Sequence, residues 1–282
     1  MTKLIHITDT HLVEPGRLLY GLDPQARLAA AVDDINRNHA DAALVVITGD
    51  LTHWGEGIAY EALRDVLDDL IPPCIPLLGN HDDRPTFRKV FPNAPVDENG
   101  FIQGRHDLAE GRLLFLDTNQ PGTHAGWYCE QRQDWLRRQL AAAGDRPLFV
   151  FMHHPPFEVG IGPMDSIGLI QREQVAALMR PHRQNLRHVF FGHVHRPIVG
   201  SWMGVPFSTM RATNHQVWLD FRAEQLAAVP GSHEPPAYAV VFLRDEDVVI
   251  HFHDYLDDSR KFPLGGQTQN ERDYAYTFEP AE

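Results

Sequence analysis

Five short segments of this 282-residue chain each end an apolar run with groups that bind metal ions. They are Asp9-Thr10-His11, Gly49-Asp50, Gly79-Asn80-His81-Asp82, His153-His154 and Gly192-His193-Val194-His195. Imidazole, carboxylate and amide donors with no thiolate among them suit Mn, Fe, Co or Zn better than a structural zinc knot. Asp9 and His11 are two apart, so on an extended backbone both side chains face one way, and His193 and His195 repeat that spacing. Two ions about 4 Å apart must share a ligand, and Asp50 is the best candidate for the bridge. The glycine before it permits close approach and an unusual turn. Two divalent ions, the carboxylates of Asp9 and Asp50, and a bridging hydroxide leave a single net positive charge. That charge complements a phosphodiester monoanion. The chemistry expected is that of an enzyme hydrolysing phosphate esters, with a hydroxide activated between the ions attacking phosphorus in line.

Such groups need rigid elements to hold them. Residues 4–8, 42–48 and 75–78 read as strands, and 42–48 is a continuous β-branched run typical of a strand covered on both faces. Residues 26–35 and 60–70 have helical spacing, and Asp23-Pro24 is a reasonable helix start. This alternation predicts an α/β layer fold. Further on, strands are expected at 101–103, 112–117, 148–152 and 188–191, with a helix at 131–140. Residues 205–208, 237–243 and 248–253 suggest a late antiparallel meander. Residues 158–163 and 229–236 read as loops, and the tail after Asp257 is polar. Each candidate ligand group falls at a strand end, where open α/β sheets bind their ligands.

The bulk numbers narrow the field. Lys and Arg number 25 against 38 Asp and Glu, a formal net charge of -13. That field opposes nucleic-acid polymers and anionic membranes, because both need clustered cations. A small anionic substrate remains open, since bound metals dominate the local field. Cys74 and Cys129 are two isolated thiols, expected to be reduced and partly buried. No signal-peptide pattern and no run of about 18 apolar residues is visible, so the cytoplasm is the expected location.

The ordered set D-x-H, G-D, G-N-H-D, H-H and G-H-x-H, spread over residues 9 to 195, resembles the calcineurin-like metallophosphoesterase superfamily. The resemblance implies a four-layer αββα sandwich of two mixed β-sheets flanked by helices, with a small C-terminal cap or meander. The division expected is a core over residues 1–200, then 201–282 as strands completing the sandwich plus a cap or oligomerisation segment. It implies one metal held by Asp9, His11, Asp50 and His195, and a second held by Asp50, Asn80, His153 and His193. His154 would lie behind the ligands. His81 would contact phosphate and protonate the leaving group, and Asn80, His81 and His195 would face substrate. Leu19-Tyr20-Gly21, GNHDD, FMHHPP and the run from Thr213 to Val217 are similar to bacterial class III cyclic-nucleotide phosphodiesterases and glycerophosphodiesterases. That subgroup places a further histidine near substrate, here His215. Trp54 stands where the protein serine/threonine phosphatases carry a phosphate-gripping Arg, which lowers that reading; His53 is a rim position or a tuner of substrate choice.

The function expected is therefore a dinuclear metal-dependent phosphodiesterase acting on small diesters, foremost 3',5'-cyclic nucleotides such as cAMP. A glycerophosphodiesterase or a broad-specificity monoesterase of the same superfamily is the alternative; a scaffold without chemistry is disfavoured because every ligand position is filled. His6 is expected to pack under the site, and His251 and His253 to lie on a strand face. Trp127, Trp135 and Trp202 are expected to pack rather than to stack on a base. Partners are a small phosphodiester and no polymer or membrane, with homo-oligomerisation left open.

Overall fold

The computed structural model describes residues 1–262. Its elements are β1 (Thr2–Ile7), α1 (Pro24–Asn38), β2 (Leu44–Ile47), α2 (Gly57–Leu67), β3 (Cys74–Pro76), α3 (Arg84–Val90), β4 (Gly104–Leu108), β5 (Gly111–Phe115), α4 (Glu130–Ala143), β6 (Leu148–Phe151), α5 (Gly162–Ser166), α6 (Arg172–Met179), β7 (Leu186–Phe190), β8 (Ile198–Trp202), β9 (Val205–Thr209), β10 (Gln216–Val217), β11 (Gly231–Ser232), β12 (Tyr238–Leu243) and β13 (Val248–His253). They form two large mixed sheets, ordered β13-β12-β1-β2-β3 and β4-β5-β6-β7-β9-β8, plus the small ribbon β10-β11.

The strand residues alternate between two cores, as a pleated backbone requires. In the first sheet Leu4, Leu44 and Val46 face the second sheet, while Ile5, Ile7, Val45 and Ile47 face helices. Phe115, Phe149, Phe151 and Phe190 supply the other half of the inter-sheet core. Fully burying each such side chain contributes roughly 1.5–3 kcal/mol. Leu28, Val32 and Ile35 of α1, Tyr60 and Leu63 of α2 and Phe87 of α3 cover the first sheet from outside. Trp135, Leu136 and Leu140 of α4 with Val175 and Met179 of α6 cover the second. The result is the helix–sheet–sheet–helix stack that the motifs imply.

The helix start at Asp23 holds: its side chain accepts from the Ala26 N–H at 3.1 Å, and Pro24 occupies the first turn. Two expectations are corrected. Residues 101–103 form no strand, because side chains replace the ladder: Asp97 accepts from the Phe101 N–H at 2.9 Å and Asp117 from the Ile102 N–H at 2.8 Å. The three late strands form but do not make one meander. β9 pairs parallel with β7 in the second sheet, whereas β12 pairs antiparallel with β1 and with β13 in the first. Alternation in a sequence reports a strand's two faces and is silent on its neighbour. Most of the polar tail lies outside the described residues. Among those described, no helix is long and apolar enough to cross a membrane.

Parallel pairing is what gathers the motifs. β1, β2 and β3 run parallel, as do β5, β6 and β7 in the facing sheet. Their carboxyl ends therefore open at one edge of the sandwich, and the loops after β1, β2, β3, β6 and β7 carry all five segments.

Candidate metal centre

Beyond the strand ends the backbone leaves the extended region. Seven non-glycine residues have positive φ among those described, and five are Asp9, His11, Asp50, His193 and His195, with φ between 47° and 70°. This corrects the simple picture of alternating residues on an extended strand: each of these side chains is turned inward by a left-handed step. Such a step costs a non-glycine residue roughly 1–2 kcal/mol, and it persists where the surroundings over-determine it. The glycines before the ligands are sterically required. A Cβ on Gly79 would meet the Asp50 backbone nitrogen at 2.3 Å, and one on Gly192 would meet Thr8 Oγ1 at 2.1 Å.

The structure brings Asp9, His11, Asp50, Asn80, His153, His193 and His195 to one cluster, all buried but Asn80, which is half-buried at its mouth. Asp50 Oδ2 sits between two sets of donors, 3.6 Å from His11 Nε2 and 3.4 Å from His153 Nε2. On the His11 side, His195 Nε2 lies 3.1 Å from His11 Nε2 and 3.3 Å from Asp9 Oδ1. On the other side, His153 Nε2 lies 3.1 Å from Asn80 Oδ1. The His193 ring centre is 5.1 Å from that of His153, and its buried Nε2 has no hydrogen-bond partner. The remaining partners aim the ligands. His153 donates Nδ1–H to the Thr48 carbonyl at 2.7 Å and His195 donates to the His215 carbonyl at 2.8 Å. Asn80 Nδ2 contacts His124 Nδ1 at 2.9 Å, and Thr8 donates its hydroxyl to Asp9 Oδ2 at 2.6 Å.

This donor set fits divalent cations. With Nδ1–H spent on a carbonyl, Nε2 of His153 and of His195 is the nitrogen that either holds a proton or, once that proton leaves, offers its lone pair to a metal. Those nitrogens face the acceptor oxygens Asp50 Oδ2, Asn80 Oδ1 and Asp9 Oδ1, and His195 also faces His11 Nε2. Such a concentration of oxygen and nitrogen donors around two carboxylates holds positive charge between its members, either protons on the imidazoles or divalent ions that displace them. The electrostatics agree. Burial would raise the Asp50 carboxyl, but His153, His81 and His11 hold it well below the ordinary carboxylate range. Burial opposes charge on His153, yet Asp50 outweighs it and pushes the imidazole up to about 9. Asp9 raises His195 in the same way. Burial and the neighbouring His153 lower His193 to about 3, so its imidazole is neutral and ready to donate to a metal.

His154, by contrast, has both ring nitrogens engaged, Nδ1 with Thr118 Oγ1 at 2.7 Å and Nε2 with the His124 carbonyl at 3.2 Å. His6 lies fully buried under the cluster, with Nε2 2.8 Å from Thr48 Oγ1, and Thr48 donates to Thr8 at 2.9 Å. A polar chain thus runs from His6 through two threonines to Asp9. Asp82 of the GNHDD run accepts from the backbone N–H groups of Gly79, Leu51 and Thr52, locking the second and third loops together.

The rim is built from further histidines. His81 lies at the mouth with Nδ1 2.8 Å from the His53 carbonyl, and its backbone N–H donates to Asp50 Oδ1 at 2.9 Å. The His53 ring stacks on His81 at 4.7 Å and 19°, and its Nδ1 meets His11 Nδ1 at 3.1 Å. The His215 ring is 4.9 Å from His11 and 4.8 Å from His195. Nothing in the sequence marks His124 as part of the rim: it lies in a Gly/Thr-rich loop after β5 with no ligand-like spacing. His251 is exposed on β13, and His253 contacts Asp34 far from the cluster at 3.1 Å. Trp135 is core, whereas Trp127 is 38% exposed. Cys74 and Cys129 are both free thiols.

Comparison with known proteins agrees with this geometry. The family model for the calcineurin-like phosphoesterases matches residues 2–197. A Rhodopseudomonas palustris protein named probable cyclic nucleotide phosphodiesterase is 45% identical over 269 residues, covering 93% of this chain and 96% of that one. Glycerophosphodiester phosphodiesterase GpdQ of Enterobacter lignolyticus is 36% identical, covering 76% of this chain and 78% of its own. Among solved structures, a dimetal phosphatase from Danio rerio shares the fold, with a TM-score of 0.65 at 15% identity over 91% of this chain and 97% of its own. The chain belongs to the calcineurin-like phosphoesterase family.

Proposed function

We infer that the protein is a dinuclear metal-dependent phosphodiesterase whose substrates are 3',5'-cyclic nucleotides, cAMP foremost. The observation that carries the metal-dependent reading is the convergence of two imidazole nitrogens, His11 Nε2 and His153 Nε2, on opposite sides of one carboxylate oxygen, Asp50 Oδ2. Asp9, His11, Asp50 and His195 would hold one ion; Asp50, Asn80, His153 and His193 would hold the other. Bound divalent ions supply Lewis acidity, acidifying a water and offsetting charge on the phosphoryl oxygens.

The chain's own groups do the rest. Asp50 is held in place by the His81 N–H at Oδ1, so its Oδ2 keeps a fixed direction. His81 has Nδ1 committed to the His53 carbonyl, which leaves Nε2 for a substrate oxygen. With a second proton on Nε2, the ring is placed to give that proton to the departing 3'-alkoxide as water adds to phosphorus and the P–O3' bond breaks; the proton released by the attacking water goes to solvent, from which the ring is reprotonated. His53, stacked on His81, keeps the ring from turning away. The products are a nucleoside 5'-monophosphate and its freed 3'-hydroxyl.

The names of relatives support this substrate class: one is a cyclic nucleotide phosphodiesterase by name at 45% identity, and another, from Pseudomonas aeruginosa, is a 3',5'-cyclic adenosine monophosphate phosphodiesterase at 30% over 68% of this chain. The GpdQ relative favours a glycerophosphodiester as the second reading. The test is a panel on manganese-reconstituted protein: cAMP, cGMP, 2',3'-cyclic AMP and glycerophosphocholine. Turnover of glycerophosphocholine with none of cAMP would replace the first reading by the second.

A further inference from the structure

A cleft of about 410 Å³ with mostly apolar walls opens beside the cluster. Tyr20 forms one side; Val217, Leu226, Val229 and Pro230, from the ribbon β10-β11 and the loop that joins its strands, form the other. A second, more polar cavity of about 550 Å³ lies at the mouth of the cluster, lined by His53, Asn80, His81 and His124. Tyr20 lines both. His215, which lines the first, stands between that cleft and the metal cluster, its ring 4.5 Å from that of Tyr20 and 4.9 Å from that of His11. A substituent that leaves the phosphorus site past His215 therefore meets the Tyr20 ring and runs on into the apolar cleft.

Tyr20 is held there at a conformational cost. Its φ is 52°, a left-handed step that a bulky aromatic rarely takes. Two separate elements enforce it. Leu19 and Leu22 exchange backbone hydrogen bonds of 2.8 and 3.0 Å around it, and His233 Nε2 contacts its carbonyl at 2.8 Å from the far loop. The side chain is nonetheless 60% exposed. A strained, exposed aromatic fixed from both sides is a feature that functional sites retain. Trp54, the other exposed ring at the mouth, is already covered: the Arg17 guanidinium lies 4.3 Å from its ring centre and His53 stands edge-on at 4.7 Å.

We propose that the cleft is the nucleobase subsite of the substrate, with Tyr20 as its stacking ring. The assignment deepens the cyclic-nucleotide reading and rests on it. A flat heterocycle gains from an aromatic face and apolar walls, and every base has such a face. Glycerol and choline have none. The amide and hydroxyl side chains of the ribbon that face the cleft are already committed. Gln216 is bonded in both directions to the Ala212 backbone at 2.8 Å, and Ser232 donates to Glu234 at 2.8 Å. The subsite thus reads the face and takes adenine and guanine about equally.

Calorimetric titration of manganese-loaded protein with AMP, GMP and ribose 5-phosphate tests this directly. AMP and GMP bind about ten-fold or more tighter than ribose 5-phosphate, and within about three-fold of each other. Tyr20→Ala closes most of the gap between AMP and ribose 5-phosphate, while Tyr20→Phe keeps it. Leu226→Glu, in the opposite wall, closes it as well and carries the test should Tyr20→Ala fail to fold. AMP binding no tighter than ribose 5-phosphate in the parent, or a gap that survives both substitutions, overturns the proposal. The readout is independent of turnover. Hydrolysis of cAMP by a protein that binds AMP no tighter than ribose 5-phosphate removes the subsite alone, and tighter AMP binding without cAMP hydrolysis removes the functional reading alone.

Discussion

Oδ2 of Asp50 lies 3.4 Å from Nε2 of His153, and the ring's other nitrogen is already bound to the Thr48 carbonyl. The pair is set for a positive charge between its members. Asp50→Asn keeps the shape and removes the charge that both sides of the cluster share. The protein is expected to fold, to retain about one ion or fewer instead of about two, and to lose at least about 100-fold in kcat/KM on bis(p-nitrophenyl) phosphate. Elemental analysis after dialysis and steady-state kinetics check both. An Asn variant with full metal and full rate would remove Asp50 from the centre.

Gly192 tests the strain argument. Its added Cβ would stand 2.1 Å from Thr8 Oγ1 and 3.0 Å from Asp9 Oδ2, and neither atom is the end of a long flexible chain. Gly192→Ala is expected to cost roughly 1–3 kcal/mol of stability by overpacking. It should also weaken metal retention, because Thr8 aligns Asp9. Urea unfolding and metal titration measure the two effects; a variant indistinguishable from the parent in both would show that the loop yields freely.

Asp117 carries a different load. Arg84 reaches it with a paired contact at 2.7 and 2.9 Å, and Arg132, 2% exposed, lies 3.7 Å away. Asp117→Ala leaves two cations short of their partner in a dry region, and such a loss costs about 3–5 kcal/mol. Asn119, which donates to the Gly79 and Asp82 carbonyls, hangs from the same carboxylate through its backbone N–H. Activity should therefore drop along with stability, and a chemical-denaturation midpoint equal to the parent's would contradict this account.

His188 makes acid sensitivity predictable. Burial lowers its imidazole from 6.5 to about 3. The folded state then binds fewer protons there than the unfolded state, so stability is full above pH 6.5 and declines as pH falls toward 3. The decline amounts to at most roughly 5 kcal/mol for this one group. His188→Gln keeps a polar partner for Ser208, which His188 contacts at 2.9 Å, and does not titrate. The urea midpoint of the variant should fall less than the parent's between pH 7 and pH 4.5. Parallel curves would place the acid sensitivity elsewhere.

Much of the candidate site was legible in the sequence because ligand chemistry is local. A carboxylate or imidazole after a buried strand announces its position through the strand, and Asp23-Pro24 announced α1 through its own side chain. What was not legible is non-local. Residues 101–103 read as a strand because alternation cannot reveal that Asp97 and Asp117 would take up their N–H groups. His124 carried no spacing signal, since its relation to Asn80 spans 44 residues and exists only once β3 and β5 stand in facing sheets. The left-handed backbone at Asp9, His11, Asp50, His193 and His195 was invisible too, because those residue types do not demand it; the packing of the cluster does.

The sequence by itself determined which donors are present, their order, and the faces of the strands that bear them, because side-chain type and period-two alternation are properties of short segments. Only the tertiary structure decided that β9 and β12 belong to different sheets, that one oxygen of Asp50 stands between His11 and His153, and that Tyr20 meets His215 at 4.5 Å. Those relations join residues far apart along the chain. They are settled by strand pairing and by the burial of two facing sheets, which no local pattern encodes.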